Sequence, residues 1–255
     1  MVNSTERFSS RVDNYVRYRP SYPAAAIELL QRRCGLNRRA VVADLGSGTG
    51  ILARLLLPCA AQVLAVEPNE PMRAAAEAAL AGHSSFVSVA GTAEATTLAA
   101  GSVDLVVAGQ AFHWFKVAPA RAEALRIARS GAHGALLWNE HPVSGSPFLA
   151  DYARLLREHA SEYDAVVGSR VDEAAMREYL GGSMECASFP NQQSFDYEGL
   201  VGRCMSSSYA PESGHPQHEP LLAGLARIFV AHQSGGRVLF PYVTLVYFAQ
   251  LRGSP

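Results

Sequence analysis

Between Val41 and Glu140 the sequence alternates short apolar runs with segments of helical periodicity, and this alternation constrains the fold more than any other feature. "VVADL", "QVLAVEP", "SFVSVAG", "VDLVVAG" and "GALLWNE" read as strands, and helices are expected over Ile51–Leu57, 70–81 and Ala118–Arg129. Strands with so little alternation suit a parallel sheet covered on both faces. The βαβαβ order then calls for right-handed crossovers with helices on both sides. A helix over Pro23–Cys34 precedes this region. Past Glu140 the pattern predicts helices over Phe148–His159, Glu173–Leu180, Tyr197–Met205 and Leu221–His232, a candidate strand at 183–191 and a closing strand at 242–251. The late helices and "SSSYAPESGHPQHEP" stand before the last strand, where they either cover a ligand crevice or pad the sheet edge.

In such a sheet, ligands bind beyond the carboxyl ends of the strands, at the topological switch point. The residues just after each strand therefore matter most. After the first strand come Gly46, Gly48 and Gly50, a turn that serves either tight packing or the approach of a ligand to bare backbone. The second strand ends in Glu67, 17 positions beyond Gly50, where a carboxylate can accept hydrogen bonds from both hydroxyls of a ribose. Together the two point to a nucleoside-type ligand. A dinucleotide fingerprint requires glycine at position 51, which is Ile here, and its side chain obstructs the close helix–strand packing that the third glycine allows. Asp44, two residues before the turn, repels a pyrophosphate but suits an ammonium group.

Composition excludes several classes. The 255 residues are 49% apolar, enough for one elaborated domain, expected to divide into a cap at 1–37, a nucleotide-binding core at 38–140 and a C-terminal part at 141–255. The formal charge is −1 and Lys116 is the only lysine, so no basic face for nucleic acid is expected. No apolar run has the length of a membrane span, and a cytoplasmic protein, monomer or homodimer, is expected. Cys34, Cys59, Cys186 and Cys204 form no CxxC pair and read as four buried thiols, with no metal site.

"VVADLGSGTG", "VLAVEPNEPM", "GTAEATTL" and "VDLVVAGQAFHWF" resemble the consecutive motifs of the class I S-adenosylmethionine-dependent methyltransferases. More narrowly they resemble the small-molecule branch that includes the trans-aconitate and the ubiquinone or menaquinone biosynthesis methyltransferases. "YVRYRPSYP" and "GRCMSSSYAP" extend the likeness to the cap and the C-terminal part. The resemblance implies a Rossmann-like α/β fold with a mostly parallel seven-stranded sheet, an α-helical lid, and methyl transfer from S-adenosylmethionine to a small molecule, leaving S-adenosylhomocysteine. Carried over by residue, it implies that Gly46, Ser47 and Gly48 lay backbone against the methionine part, with Asp44 beneath. Glu67 would take the ribose hydroxyls, Pro68, Asn69 and Met72 would flank sugar and adenine, and Thr92, Ala93 and Glu94 would lie at the adenine edge. Gln110 and Ala111 would approach the sulfonium, and Arg19 would meet the cofactor carboxylate, with Arg17 and Arg11 as alternatives.

Phe112, Trp114, Phe115 and Tyr15 are aromatic candidates to face a cationic sulfur, with core packing as the competing role. His113 is the candidate general base, against a purely structural part in its motif. Tyr15, His113, Trp114, Arg203 and Tyr209 are the candidate acceptor contacts. There is no DPPY-like motif of nucleic-acid amino-methyltransferases, and Gly109 and Gln110 stand where a catechol-type enzyme has a metal-binding aspartate. Two other readings stay open at this stage, a nicotinamide-dependent oxidoreductase and a regulatory protein that binds S-adenosylmethionine without turnover. The acceptor atom, oxygen, nitrogen or carbon, stays open as well.

Overall fold

The computed structural model describes residues 12–142, 146–164, 173–181 and 184–251. Among them, seven strands form one sheet in the order β3-β2-β1-β4-β5-β7-β6. β1 (Val41–Leu45), β2 (Gln62–Val66), β3 (Phe86–Val89), β4 (Val103–Gly109) and β5 (Ala128–Glu140) are parallel neighbours. β7 (Val238–Gln250) runs antiparallel between β5 and β6 (Glu185–Phe195). The chain leaves β1 toward β2 and β3 on one side, then returns to β4 on the other. The switch point therefore falls at the carboxyl ends of β1 and β4, beside Gly46 and Gly109.

Alternate residues of the strands feed two cores. Val42, Leu105, Val107 and Leu137 pack with α2 (Ala24–Arg33) and α3 (Ile51–Leu56) on one face. Ala43, Leu45, Val106 and Leu136 pack with α5 (Val117–Ile127) and α7 (Glu173–Leu180) on the other. A third apolar cluster joins α6 (Pro147–His159), α8 (Tyr197–Met205) and α9 (His218–His232) around Phe195, Phe240 and Tyr242. This cluster is the helical part expected from the late sequence.

Helix starts follow their capping residues. The Asn69 side chain accepts from the Met72 amide at 2.9 Å to open α4 (Glu70–Leu80), and Asp196 accepts from the Gly199 amide at 2.8 Å to open α8. Four expectations are corrected. α1 (Val12–Tyr18) is a helix where only a polar start was read. The fifth helix ends at Ile127 because β5 begins at Ala128, well before Gly134. β7 begins earlier than expected, at Val238, because Pro241 pairs with Gln192, a position a proline reading treats as a break, and β6 runs on past Asn191 to Phe195 in the same pairing. Cys34 and Cys204 are buried thiols, but Cys59 is half-buried and Cys186 exposed on the edge strand. Among the described residues, no helix is long and apolar enough to cross a membrane.

Candidate active site

The turn after β1 is held open by backbone geometry. Gly46 and Gly48 have φ of +66° and +56°, where a side chain is strained. A methyl on Gly46 would stand 2.6 Å from the Ala111 Cβ, whereas one on Gly48 would meet nothing within 4 Å. Gly46 thus serves packing against the β4 turn, and Gly48 faces open space. Both possible uses of the glycines are present in one turn.

That open space is a crevice lined by Tyr15, Arg19, Pro20, Tyr22, Asp44, Gly46, Ser47, Gly48, Thr49, Ile51, Leu52, Gly109 and Gln110. Its wall is chemically incomplete. Among the described residues, seven buried side-chain nitrogen and oxygen atoms have no hydrogen-bond partner, and five of them belong here: Arg19 Nε, both oxygens of Asp44, Ser47 Oγ and Thr49 Oγ1. Buried polar atoms are normally satisfied, so such a concentration marks a place where a polar ligand completes the structure. Asp44 is 1% exposed, and burial, with Glu67 as a second negative charge, raises its pKa to about 7 despite the nearby Ala53 amide. Burial and its neighbours Tyr15 and Asp44 hold the Tyr22 hydroxyl protonated.

Glu67 closes the turn from the second strand. Its Oε2 accepts from the Gly48 amide at 2.9 Å and its Oε1 from the Asn69 amide at 2.8 Å. Burial still raises its pKa; the two amides and Arg73 oppose the rise. On the other side, Gln110 has φ +58°, unusual for a residue with a side chain. It is fixed there by a reciprocal pair with Asn139, Nε2 donating to the Asn139 carbonyl and Oε1 accepting from the Asn139 amide, both at 3.2 Å. Asn139 in turn donates to the Ser21 carbonyl and accepts from Thr244 and Asn191.

Sequence reasoning and structure meet at Tyr15, Arg19, Asp44, Gly46, Ser47, Gly48 and Gln110, all in the crevice wall. Glu67 joins through Gly48. Pro68, Asn69 and Met72 begin α4; the Asn69 side chain is used as a cap and Met72 is buried. Thr92 and Ala93 sit in the turn after β3, Ala93 packed into the sheet, while the Glu94 carboxylate accepts from the Lys116 amide at 2.8 Å. Neither these residues nor Ala111 line the crevice. Phe112 is core, tilted on Tyr179 at 5.0 Å, with the half-buried Phe115 edge-on to it. Trp114 is 41% exposed. His113 keeps an exposed edge beneath Trp114 and Trp138, ring centroids 4.5 and 5.5 Å away; crowding and the positive charge of Arg19 press its pKa down to about 4. Arg17 is exposed outside the wall and Arg11 lies outside the described residues; among the described residues, Arg19 is the arginine that lines the crevice. The reading missed Pro20, Tyr22, Thr49 and Leu52 as lining residues. Thr49 carried a signal, since it stands inside the glycine turn.

A family model of the methyltransferase domain matches residues 43–136, from β1 through β5. An uncharacterized methyltransferase of Mycobacterium tuberculosis is 42% identical over 132 residues, which are 52% of this chain and 51% of the relative, so the chain matches about half the length of that protein. An uncharacterized methyltransferase-like protein of Schizosaccharomyces pombe is 24% identical over 250 residues, 95% of this chain and 94% of its own. In fold, the chain resembles the structure described as a type II methyltransferase from Anaeromyxobacter dehalogenans, with a TM-score of 0.67 and 22% identity over 92% of this chain and 99% of that one. The fold is that of the Rossmann-like class I methyltransferases.

Proposed function

We propose that the chain is an S-adenosylmethionine-dependent methyltransferase acting on a small-molecule acceptor by in-line displacement. The observation that carries this is the set of unpartnered buried atoms in one crevice, a carboxylate and a guanidinium flanking a glycine turn. An amino acid matches the set, its ammonium at Asp44 and its carboxylate at Arg19 Nε, while Glu67 lies one residue contact away for a ribose. Glycine spacing and Asp44 disfavour a dinucleotide, and Ile51 lines the wall where a third glycine would be needed.

When bound, S-adenosylmethionine supplies an electrophilic methyl group on a sulfonium. The protein's part is to align and to exclude water, and alignment of reacting atoms is worth roughly 7–11 kcal/mol in favourable cases. The Gly46–Gly48 backbone and Asp44 fix one end of the ligand. Gln110, locked by Asn139, gives the wall beside β4 a single geometry. His113 with a pKa of about 4 is neutral at pH 7 and a weak base. His113→Asn is therefore expected to lower turnover by less than about tenfold and to leave the pH–rate profile between about pH 5 and 8 unchanged; a larger fall with a lost inflection would make it the base.

Calorimetry with S-adenosylmethionine, S-adenosylhomocysteine and NAD tests the cofactor, and tighter binding of NAD would overturn the assignment. Glu67→Ala is expected to weaken S-adenosylhomocysteine by about 1.5–3 kcal/mol, the scale of a charge-assisted contact, with the fold retained by circular dichroism. Release of S-adenosylhomocysteine on incubation with acceptors separates an enzyme from a protein that only binds.

A further inference from the structure

The irregular stretch between α1 and α2 forms one side of the crevice. Arg19, Pro20 and Tyr22 line it, and Tyr22 ends over Gly109, where a methyl would stand 2.5 Å from its hydroxyl oxygen. Pro20 and Pro23 have no amide hydrogen and disfavour helix there, so the backbone carbonyls of this stretch have to be met from elsewhere. The edge strand meets them. Asn191 and Gln193 stand two residues apart on β6, half-buried and alternating with the exposed Pro190, Gln192 and Ser194, so they face one side. Asn191 Nδ2 donates to the Ser21 carbonyl at 2.7 Å and Gln193 Nε2 to the Tyr18 carbonyl at 3.1 Å. These two carbonyls bracket Arg19 and Pro20. Asn139 adds a second donor to the Ser21 carbonyl at 3.2 Å.

Each of the two anchoring amides is itself oriented through its oxygen. Asn191 Oδ1 accepts from the Gln192 amide at 2.8 Å, and Gln193 Oε1 accepts from the Tyr242 hydroxyl at 3.0 Å. Tyr242 in turn accepts from Arg203 Nε at 2.9 Å. Arg203, 5% exposed on α8, therefore supports Gln193 from behind and does not line the crevice. Tyr209 does not line it either; it packs edge-on to Tyr163 at 5.2 Å. The Arg19 side chain is held at a third point, where Nη2 donates to the Ser206 carbonyl at 2.8 Å and the Tyr15 ring lies 4.9 Å from the guanidinium. Backbone fixed on both sides and guanidinium fixed at one end leave Nε, buried and unpartnered among the described residues, a single position at the crevice.

We propose that Asn191 and Gln193 are positioning residues of the cofactor site, which stand outside the crevice wall and act through Arg19 by holding its Nε where the ligand carboxylate arrives. This rests on the S-adenosylmethionine reading. A segment already held in place does not have to be ordered when the ligand binds, and the ligand keeps the affinity that ordering would cost. The effect is confined to ligands that reach Arg19. A ligand with the nucleoside but no amino acid gains nothing from the two anchors.

The test is calorimetry with S-adenosylhomocysteine and with methylthioadenosine, which has the nucleoside and lacks the amino acid. Asn191→Ala combined with Gln193→Ala is expected to weaken S-adenosylhomocysteine about tenfold and methylthioadenosine less than about twofold. In an Arg19→Met background the same pair is expected to cost less than about twofold for S-adenosylhomocysteine, because its route to the ligand is gone. Equal losses for the two ligands would mean that the anchors only hold up the crevice, and would overturn the proposal. So would wild-type affinity in the double variant, a full tenfold loss in the Arg19→Met background, or wild-type affinity in Arg19→Met itself. Each single variant is expected to show the same preference at about threefold, so the singles decide if the double variant does not fold. If wild type fails to bind S-adenosylhomocysteine in the first titration, it is the S-adenosylmethionine reading that falls.

Discussion

Asp44→Asn is expected to make the ligand-free protein more stable at pH 8 and to abolish cofactor binding. Asp44 has a pKa of about 7 when folded against 3.8 for an ordinary aspartate. Between these values the folded state holds a proton that the unfolded chain has released, so this group's contribution to stability falls as pH rises from 3.8 to about 7, and above that its cost is fully present. Three pKa units set an upper bound on the order of 4 kcal/mol, reduced by any water that enters the crevice. Asn removes the charge and keeps the size, so its melting temperature should exceed that of wild type at pH 8, with the gap closing near pH 4. Cofactor affinity shows the opposite sign. An ammonium prefers the ionised carboxylate, so wild-type affinity for S-adenosylhomocysteine should rise as pH climbs toward about 7, approaching tenfold per unit well below that point. In Asp44→Asn the pH dependence should vanish and affinity fall by about 3–5 kcal/mol, the scale for breaking a desolvated charge pair. A variant that is less stable at pH 8, or that binds like wild type, would remove Asp44 from the cofactor site.

The group of residues around Asp44 was legible in the sequence because its parts are close together along the chain. Strand, turn and Asp44 lie within ten residues, and Glu67 falls at the next strand end, so periodicity and spacing suffice to join them. The arginine end was legible only as residue types. Arg19 meets the Ser206 carbonyl across 187 positions and Arg203 meets Tyr242 across 39, and nothing local in either segment states the pairing. Gln110 is intermediate: its place after β4 was readable, but the positive φ is forced by Asn139, 29 positions away. The aromatic run after β4 left two roles open for a related reason. "FHWF" has one composition but divides between two environments, because the 3-10 turn over Phe112–Trp114 sends Phe112 into the core and leaves Trp114 exposed. The early start of β7 was hidden by Pro241, which strand patterns treat as an end but which pairing with the edge strand tolerates.

The two glycines of the turn should separate folding from binding. Gly46→Ala places a methyl 2.6 Å from the Ala111 Cβ at φ +66°, combining left-handed strain of about 1–2 kcal/mol with overpacking of about 1–3 kcal/mol. Denaturant unfolding should show it destabilised by about 2–5 kcal/mol, with binding per folded molecule reduced only as far as the turn moves. Gly48→Asn differs on both counts. Asn tolerates a φ of +56° better than other side chains, and a methyl there meets nothing within 4 Å, so the fold should lose little. The added side chain nevertheless stands in the crevice where the ligand lies against bare backbone. Affinity for S-adenosylhomocysteine should therefore drop by about 3 kcal/mol, roughly 100-fold, with unfolding close to wild type. Normal binding by Gly48→Asn would mean that the open space beside Gly48 is solvent and that the ligand lies elsewhere. Equal destabilisation by both variants would mean that the whole turn serves packing, as the first glycine does.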